Sequence, residues 1–389
     1  MPVYKFGFVG MMEMEKTIDE CFFQIQNGVN IKQGNVKGGF PITRIETTAD
    51  NKFNRDRMGY AGITDISKYE PYILEDGDLL MSHINSVQYL GRTVLYVKQS
   101  NEIIIHGMNL LRLKARKDVI NPAYARYCFY GHSFRSQIMN ITKKSVNQAS
   151  FAVKDLKQIK IDVPSIDEQN MVVVVLDKLQ KLIDMRKNEL AILDNLIKAR
   201  FVEMFGDLML NPYEWPIVSI REVSTFVKSG LSRKLSEDDI GLPVIRSGNI
   251  QNGQFIYCDV KYWYKNDPQG AKTEDYVLDD GDILVNFINS SSQIGKTAIF
   301  RDVARDCIYT TNIFRMKLAE NCNEYYYNWF AMSDYYYRQL QNIIQPAVNQ
   351  ASFTTVNFLK LNIPLPPLKL QDEFADFVIQ VDKSKFVYY

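Results

Sequence analysis

The 389-residue sequence predicts an α+β fold built twice: two similar globular domains separated by long helices that pair as an antiparallel coiled coil. Three observations lead to it. The chain repeats itself with a period near 200 residues, a heptad-spaced helix follows the first copy, and each copy mixes strand and helix patterning.

The duplication is explicit. Val146-Asn147-Gln148-Ala149-Ser150-Phe151 recurs letter for letter as Val348-Asn349-Gln350-Ala351-Ser352-Phe353, an offset of 202. Gly39-Phe40-Pro41-Ile42 with Arg44 matches Gly241-Leu242-Pro243-Val244 with Arg246, and Glu75-Asp76-Gly77-Asp78 matches Asp279-Asp280-Gly281-Asp282 at 204, so one small insertion separates the copies. Asn85-Ser86 and Gly91-Arg92-Thr93 correspond to Asn289-Ser290 and Gly295-Lys296-Thr297, and Pro164 with Gln169 to Pro366 with Gln371. A period this long excludes a solenoid and indicates a doubled domain.

Each copy closes on a helix. Ser165 followed by Glu168 forms a capping box, in which hydroxyl and carboxylate each satisfy an orphaned backbone N–H. Leu176, Ile183, Leu190 and Ile197 fall seven residues apart, Leu179 and Leu193 fill the seam, and Gly206 supplies a stop. Over 166–205 such a helix is about 60 Å long, at about 1.5 Å per residue. The second copy carries Phe374, Val378 and Val381 in matching register on a shorter helix, so the two helices offer each other an apolar partner. The expected layout is a first domain over 1–164, a spacer helix over 165–206, a second domain over 207–366 and a short distal helix over 367–389.

Within the copies, strands are expected around 72–82, 93–98, 103–105 and 110–113, with Asp76-Gly77 and Asp280-Gly281 as turns. Asn121-Pro122 opens a helical stretch through Tyr124, Tyr127 and Ile138, matched near 326–340.

Composition narrows the function. With 46% apolar and 23% charged residues the chain fills two cores and is not disordered, and its longest apolar run, Met171 to Leu176, is too short for a bilayer. Met1-Pro2-Val3-Tyr4-Lys5 does not begin an export signal, so a cytoplasmic location is expected. Five cysteines, none in a C-x-x-C pair, argue for reduced thiols and against a thiolate zinc site. Lys and Arg number 46 against 45 acids, so any grip on a polyanion must come from local patches.

Catalytic motifs fail one by one. Gly295-Lys296-Thr297 resembles the end of a phosphate-binding loop, but Ser290 stands where its first glycine belongs. Asn211-Pro212-Tyr213 lacks the second proline and the glycine-rich strand of an amino-methyltransferase, and Asp155-Leu156-Lys157 loses its carboxylate in the second copy. His83, His106 and His132 have no metal spacing, and no catalytic or metal-ligating residue is expected. A nucleotide-dependent enzyme built on Gly295-Lys296-Thr297 remains an alternative, one that predicts tight nucleotide binding.

What remains is polar and basic surface. Lys32, Lys37, Arg44, Lys52, Arg55 and Arg57 crowd one stretch; Asn85, Ser86, Gln88 and Arg92 follow a strand; Lys143, Lys144, Asn147 and Gln148 surround the repeated hexapeptide. The second copy offers Arg246, Asn249, Gln251, Asn286, Asn289, Ser290, Ser291, Gln293, Lys296, Asn349 and Gln350. Amides pair with adenine and Arg with guanine, while Lys and Ser hold phosphates, so these groups suit reading of DNA. The hexapeptide has a second reading as packing, with Phe151 and Phe353 buried and Asn147 and Gln148 closing a turn.

The lead-ins to the two helices, Val163-Pro164-Ser165-Ile166-Asp167-Glu168-Gln169 and Leu365-Pro366-Pro367-Leu368-Lys369-Leu370-Gln371, together with the bridge from Ala199 through Gly206 and Asn211-Pro212 to Trp215-Pro216, carry a resemblance. The chain resembles the specificity subunits of type I restriction-modification enzymes over almost its whole length. That resemblance implies two target-recognition domains reading double-stranded DNA. It further implies a scaffold for two methyltransferase subunits and for restriction subunits that cleave and translocate. S-adenosylmethionine and ATP would then be bound by those partners, with no cofactor, catalysis or membrane association in this chain. A spacer of about 60 Å exceeds one helical turn of roughly 34 to 36 Å, so two half-sites separated by unread base pairs are expected. The alternative is a stand-alone sequence-specific DNA-binding regulator.

Overall fold

A computed structural model describes residues 15–35, 37–145, 148–346 and 350–386. The chain divides into two compact units, 1–184 and 185–389.

Unit 1 is built on a four-stranded antiparallel sheet, β1 (Phe22–Asn27), β2 (Leu79–Ser82), β3 (Thr93–Leu95) and β4 (Leu110–Ala115), in the order β1-β4-β2-β3. β2 and β4 are buried on both faces; β2 reads as an apolar run, while β4 carries the buried Arg112 and the half-buried Lys114 among its leucines. Two helices, α1 (Pro122–Tyr130) and α2 (His132–Ile141), cover one face and bury Phe129, Phe134 and Ile138 in a core with Leu79, Leu111 and Leu113. The single helical stretch expected from Asn121 to Ile138 is therefore two helices. The chain breaks at Gly131, whose N–H returns to the Cys128 carbonyl while its extended backbone starts α2.

Two expected strands change. Of 72–82 only Leu79–Ser82 is strand: Tyr72 ends a 3-10 turn over Ser67–Tyr72, Ile73 makes a single bridge, and the Asp76-Gly77 turn follows. Residues 103–105 contribute only single bridges, Ile105 to Ile42 and to Ile73. Pro71 and the Asp76-Gly77 turn break the backbone ahead of Leu79, so alternation of apolar residues is not matched by continuous pairing.

Helix α3 (Ile166–Phe205) begins in this unit, on the expected capping box: Ser165 N–H donates to Glu168 Oε2 at 3.0 Å and Glu168 N–H to Ser165 Oγ at 3.4 Å.

Unit 2 repeats the design. β5 (Ser224–Ser229), β6 (Ile283–Asn286), β7 (Thr297–Ile299) and β8 (Ile313–Leu318) pair in the order β5-β8-β6-β7, all antiparallel. Even the register is copied: Leu80 faces Arg112 in unit 1 and Leu284 faces Arg315 in unit 2. Helices α4 (Glu324–Phe330) and α5 (Asp334–Gln341) take the places of α1 and α2, and the unit closes on α6 (Leu368–Phe386).

In both units the first and last segments of the head pair. Glu15–Thr17 runs antiparallel to Lys160–Asp162, and Ile217–Ser219 to Asn362–Pro364. Just after each first segment a capping box recurs, Thr17 with Glu20 and Ser219 with Glu222.

The expected helix pairing is present in unit 2. Phe374 packs against Phe201 and Phe205, with ring centroids at 5.3 and 5.5 Å, and the Arg200 guanidinium lies 5.8 Å from the Phe377 ring. At the other end Lys385 Nζ reaches Asp194 Oδ1 at 2.7 Å, and Arg186 donates to the Lys385 carbonyl. One helix rises in number as the other falls, so they are antiparallel. Ile197, Phe374, Val378 and Val381 are buried, and Leu193 packs against the same core while Leu190 is half-buried. Of the remaining seam positions Leu176 is half-buried, whereas Leu179 and Ile183 are about half exposed and enter no core. Among the described residues the 19-residue α6 is less than half the length of the 40-residue α3, and it packs along the C-terminal part of α3.

Candidate functional site

The repeated hexapeptide lies at a surface strand in each unit. Val146, Asn147, Val348 and Asn349 lie outside the described residues. Its Ala-Ser steps form the middle strand of a small three-stranded sheet in each unit. Ala149 pairs with Asn85 on one side and Lys144 on the other, and Ala351 with Asn289 and Pro346. Phe151 and Phe353 are buried, the latter stacked on Phe358 at 5.6 Å, and the Gln148 carbonyl accepts from Ser145 N–H at 2.8 Å to close the turn. Packing thus holds the motif, and the motif in turn holds Asn85 and Asn289 at the surface.

In unit 1 the sheet gathers Asn85, Lys143 and Lys144 along one ribbon, with exposed Ser86 and Gln148 at its ends. Arg92 lies with its guanidinium 4.5 Å from the Tyr89 ring, and the exposed Gln88 sits on a turn pinned by Arg135, which donates to the Gln88 and Leu90 carbonyls. The other basic cluster is not one surface. Lys32 and Lys37 are exposed, but Arg44 donates to the Met58 carbonyl at 2.8 Å. Arg55 makes a bidentate pair with Glu102 at 2.6 and 2.9 Å, and Arg57 sits 3.5 Å from Asp50. The Arg55 hydrogen bonds hold the Glu102 carboxyl down at about 2. A guanidinium held this way fastens a loop and is not offered to a phosphate.

Unit 2 presents a groove of about 450 Å³, lined on one wall by Ser247, Gly248 and Ile250 to Asn252 and on the other by Asn289, Gln293 and Lys296. Ser290 and Ser291 are exposed beside it, as is Gln350 in its own segment. Three expected contact residues serve elsewhere. Asn249 is buried, its Nδ2 donating to the Ile256 and Cys258 carbonyls at 2.9 and 2.8 Å, because a sharp loop leaves those acceptors without ladder partners. Asn286 is sealed in β6, reaching the Ser247 carbonyl at 3.4 Å. Arg246 donates to Asp259 through both its carbonyl and its carboxylate. Asn252 is new to the set. Its signal was the Asn252-Gly253 dipeptide, a hairpin turn with φ of 51° and 78° that lifts an amide to the tip.

The Thr297 hydroxyl donates to Asn328 Oδ1 at 2.8 Å and β7 carries it into the sheet. His106 is buried with Nε2 2.9 Å from the Leu110 carbonyl, and burial lowers its pKa to about 3 and that of the buried His83 to about 4, while His132 is exposed. All five cysteines are unpaired, and burial pushes the Cys21, Cys128 and Cys307 thiols up to about 11. Among the described residues no group of His, Cys, Asp and Glu is placed to hold a metal, and no helix is long and apolar enough to cross a membrane.

Each head meets its helix through one buried glutamine. Gln169 Oε1 accepts the Asn121 N–H at 2.8 Å and its Nε2 donates to the Val119 and Pro164 carbonyls at 2.9 and 2.8 Å. Gln371 repeats this with the Asn323 N–H at 2.9 Å and the Asn321 and Pro366 carbonyls at 3.2 and 2.7 Å.

Comparison with known proteins agrees with this duplicated plan. A family model described as the type I restriction modification DNA specificity domain matches residues 14–194 and again 212–386. The chain is 27% identical over 392 residues to the putative type I restriction enzyme MjaX specificity subunit of Methanocaldococcus jannaschii, covering 92% of this chain and 84% of that one. It is 26% identical over 191 residues to the type I restriction enzyme EcoKI specificity subunit of Escherichia coli, covering 48% and 41%. In fold it is similar to the S subunit of a type I restriction-modification system from M. genitalium, with a TM-score of 0.57 at 13% identity over 98% of this chain and 92% of that one. Because the two matched stretches account for nearly all of the sequence, the chain belongs to the type I restriction modification DNA specificity domain family.

Proposed function

We propose that each head reads one half of a bipartite double-stranded DNA site, and that the helices carry two copies of a methyltransferase subunit together with restriction subunits. In this reading the chain performs no chemistry. S-adenosylmethionine and ATP act on the partners, and the assembly works in the cytoplasm.

The observation that carries the reading is the equivalence of the two heads. Sheet order, strand register and the glutamine joint are the same in both, while the groove-forming loops differ: Gln251, Asn252, Gln293 and Lys296 stand where unit 1 has Ala49, Asp50, Tyr89 and Arg92. A constant frame with variable loops suits two readers of unlike sequence. Two similar supports also suit two copies of one partner. The formal charge of +1 fits a subunit that shares its hold on DNA with others.

The test is exchange of residues 1–164 for the corresponding part of another family member, with methylated sites mapped in a host carrying the partner subunits. One half of the recognised sequence should change and the other stay. A change in both halves, or methyl transfer by the purified chain alone, would refute the proposal.

A further inference from the structure

We infer that the groove of unit 2 reads base edges in the major groove and that its amide side chains select A·T pairs in one half-site. The inference rests on the DNA-reading function proposed above and goes further by naming the contacts and the base pair.

The groove is built to hold its contacts still. The hairpin Ile250–Gln251 and Gln254–Phe255 turns at Asn252-Gly253, where Gly253 takes a φ of 78°, a left-handed backbone that favours glycine, and packs against the Met332 side chain. Asn328, itself buried, donates to the Gly253 carbonyl at 2.8 Å while its Oδ1 accepts from Thr297. The facing wall follows Ile288–Asn289, which the hexapeptide strand pairs.

Four amides project from these two walls, and their bonding capacity is largely open. Gln251 Nε2 gives one proton to the Gly248 carbonyl at 2.9 Å, leaving Oε1 and a second N–H. Asn289 Oδ1 accepts from Ser290 N–H at 2.8 Å, leaving both protons of Nδ2. Among the described residues the side chains of Asn252, Gln293 and Lys296 make no hydrogen bond. No carboxylate and no arginine lines the groove.

A carboxamide sets one acceptor beside one donor. Adenine shows the complement on its major-groove edge, the N6 donor beside the N7 acceptor, whereas guanine shows two acceptors and is matched by the paired donors of arginine. Gln251, Asn252 and Gln293, which keep both an acceptor and a donor open and have no arginine beside them, therefore favour adenine, and Lys296 supplies the charge that a flanking phosphate requires.

The test uses the full chain assembled with its methyltransferase subunits in a methylation-free host, carrying Gln251→Ala, Asn252→Gly or Gln293→Ala, with modified sites mapped by sequencing. Asn252→Gly keeps the left-handed backbone of the tip. At least one variant should lose discrimination roughly tenfold at an A·T pair in one half-site, with the other half unchanged. Unaltered motifs in all three, or relaxation confined to G·C pairs, would overturn the assignment. If a variant abolishes methylation, competition binding of the purified complex to duplexes bearing each base pair at that position decides: equal affinities support the assignment, and an intact A·T preference overturns it. A wild-type complex with no two-part motif would instead sink the parent reading.

Discussion

Arg315 Nε lies 2.6 Å from Asp282 Oδ2, with 7% and 2% of the two side chains exposed. The contact is ionic, the Nε proton making no hydrogen bond. Asp282 also accepts the Asp279 N–H at 2.7 Å, so it closes the Asp280-Gly281 turn from within. Burial still pushes its carboxyl up to about 6. Unit 1 has the same device in Arg112 and Asp78, 3.9 Å apart, where Arg112 donates to the Ile73 and Pro71 carbonyls at 2.7 Å each.

Arg315→Met should therefore cost unit 2 about 3 to 5 kcal/mol, because it strands a carboxylate in the interior. The double variant with Asp282→Asn should recover a large part of that loss. Urea unfolding of the three proteins measures it, and a single variant as stable as wild type would show that the pair carries no weight.

The glutamine joints make a second prediction. Gln371→Leu leaves the Asn323 N–H and two carbonyls without partners in a buried place, at a cost of about 1 to 3 kcal/mol. Hydrogen exchange at the Asn323 amide should rise sharply, while exchange in the β6–β8 ladder should change little. Unchanged protection at Asn323 would contradict the assigned bond.

Acid sensitivity should be traceable to unit 1. A histidine in an unfolded chain titrates near 6.5, but His83 and His106 stay neutral in the fold down to about 4 and about 3. As pH falls below about 6.5 the unfolded state takes up protons that the folded state refuses, so stability declines through that window and is unaffected by these groups above it. Phe287 occupies in unit 2 the place of His83, with its ring 6.4 Å from Phe353 where His83 is 6.2 Å from Phe151. His83→Phe should hence be tolerated and should flatten the decline between pH 7 and 4.5. Equal slopes for variant and wild type would rule out this origin.

Phe374 joins α6 to α3 and to Trp329 of α4, at 6.2 Å. Phe374→Ala should destabilise unit 2 by about 3 to 5 kcal/mol. A calorimetric scan that shows no shift in Tm would mean the helix pair is held mainly by its ion pairs.

What the sequence disclosed followed from how local each signal was. The capping box of Ser165 and Glu168 spans three residues, and the doubled hexapeptide is six identical letters, so both were visible without the fold. Helix-seam periodicity located α3 and α6, but it could not say where a 19-residue partner stops covering a 40-residue helix. Polar loop residues were the weak point. Asn249 and Asn289 look alike in sequence, yet one satisfies carbonyls seven and nine residues on while the other faces the groove. The partner that engages Arg55, Glu102, lies 47 residues away and becomes near only once the strands have paired.

The two joint glutamines touch only main chain, three backbone groups apiece. This part of the socket is blind to the side chains of the attached body, and beside it one head asparagine in each unit, Asn121 or Asn323, gives its amide to the helix at Asn170 or Asp372. A body of foreign surface would then seat on the same stem where it keeps the three backbone points and that one asparagine.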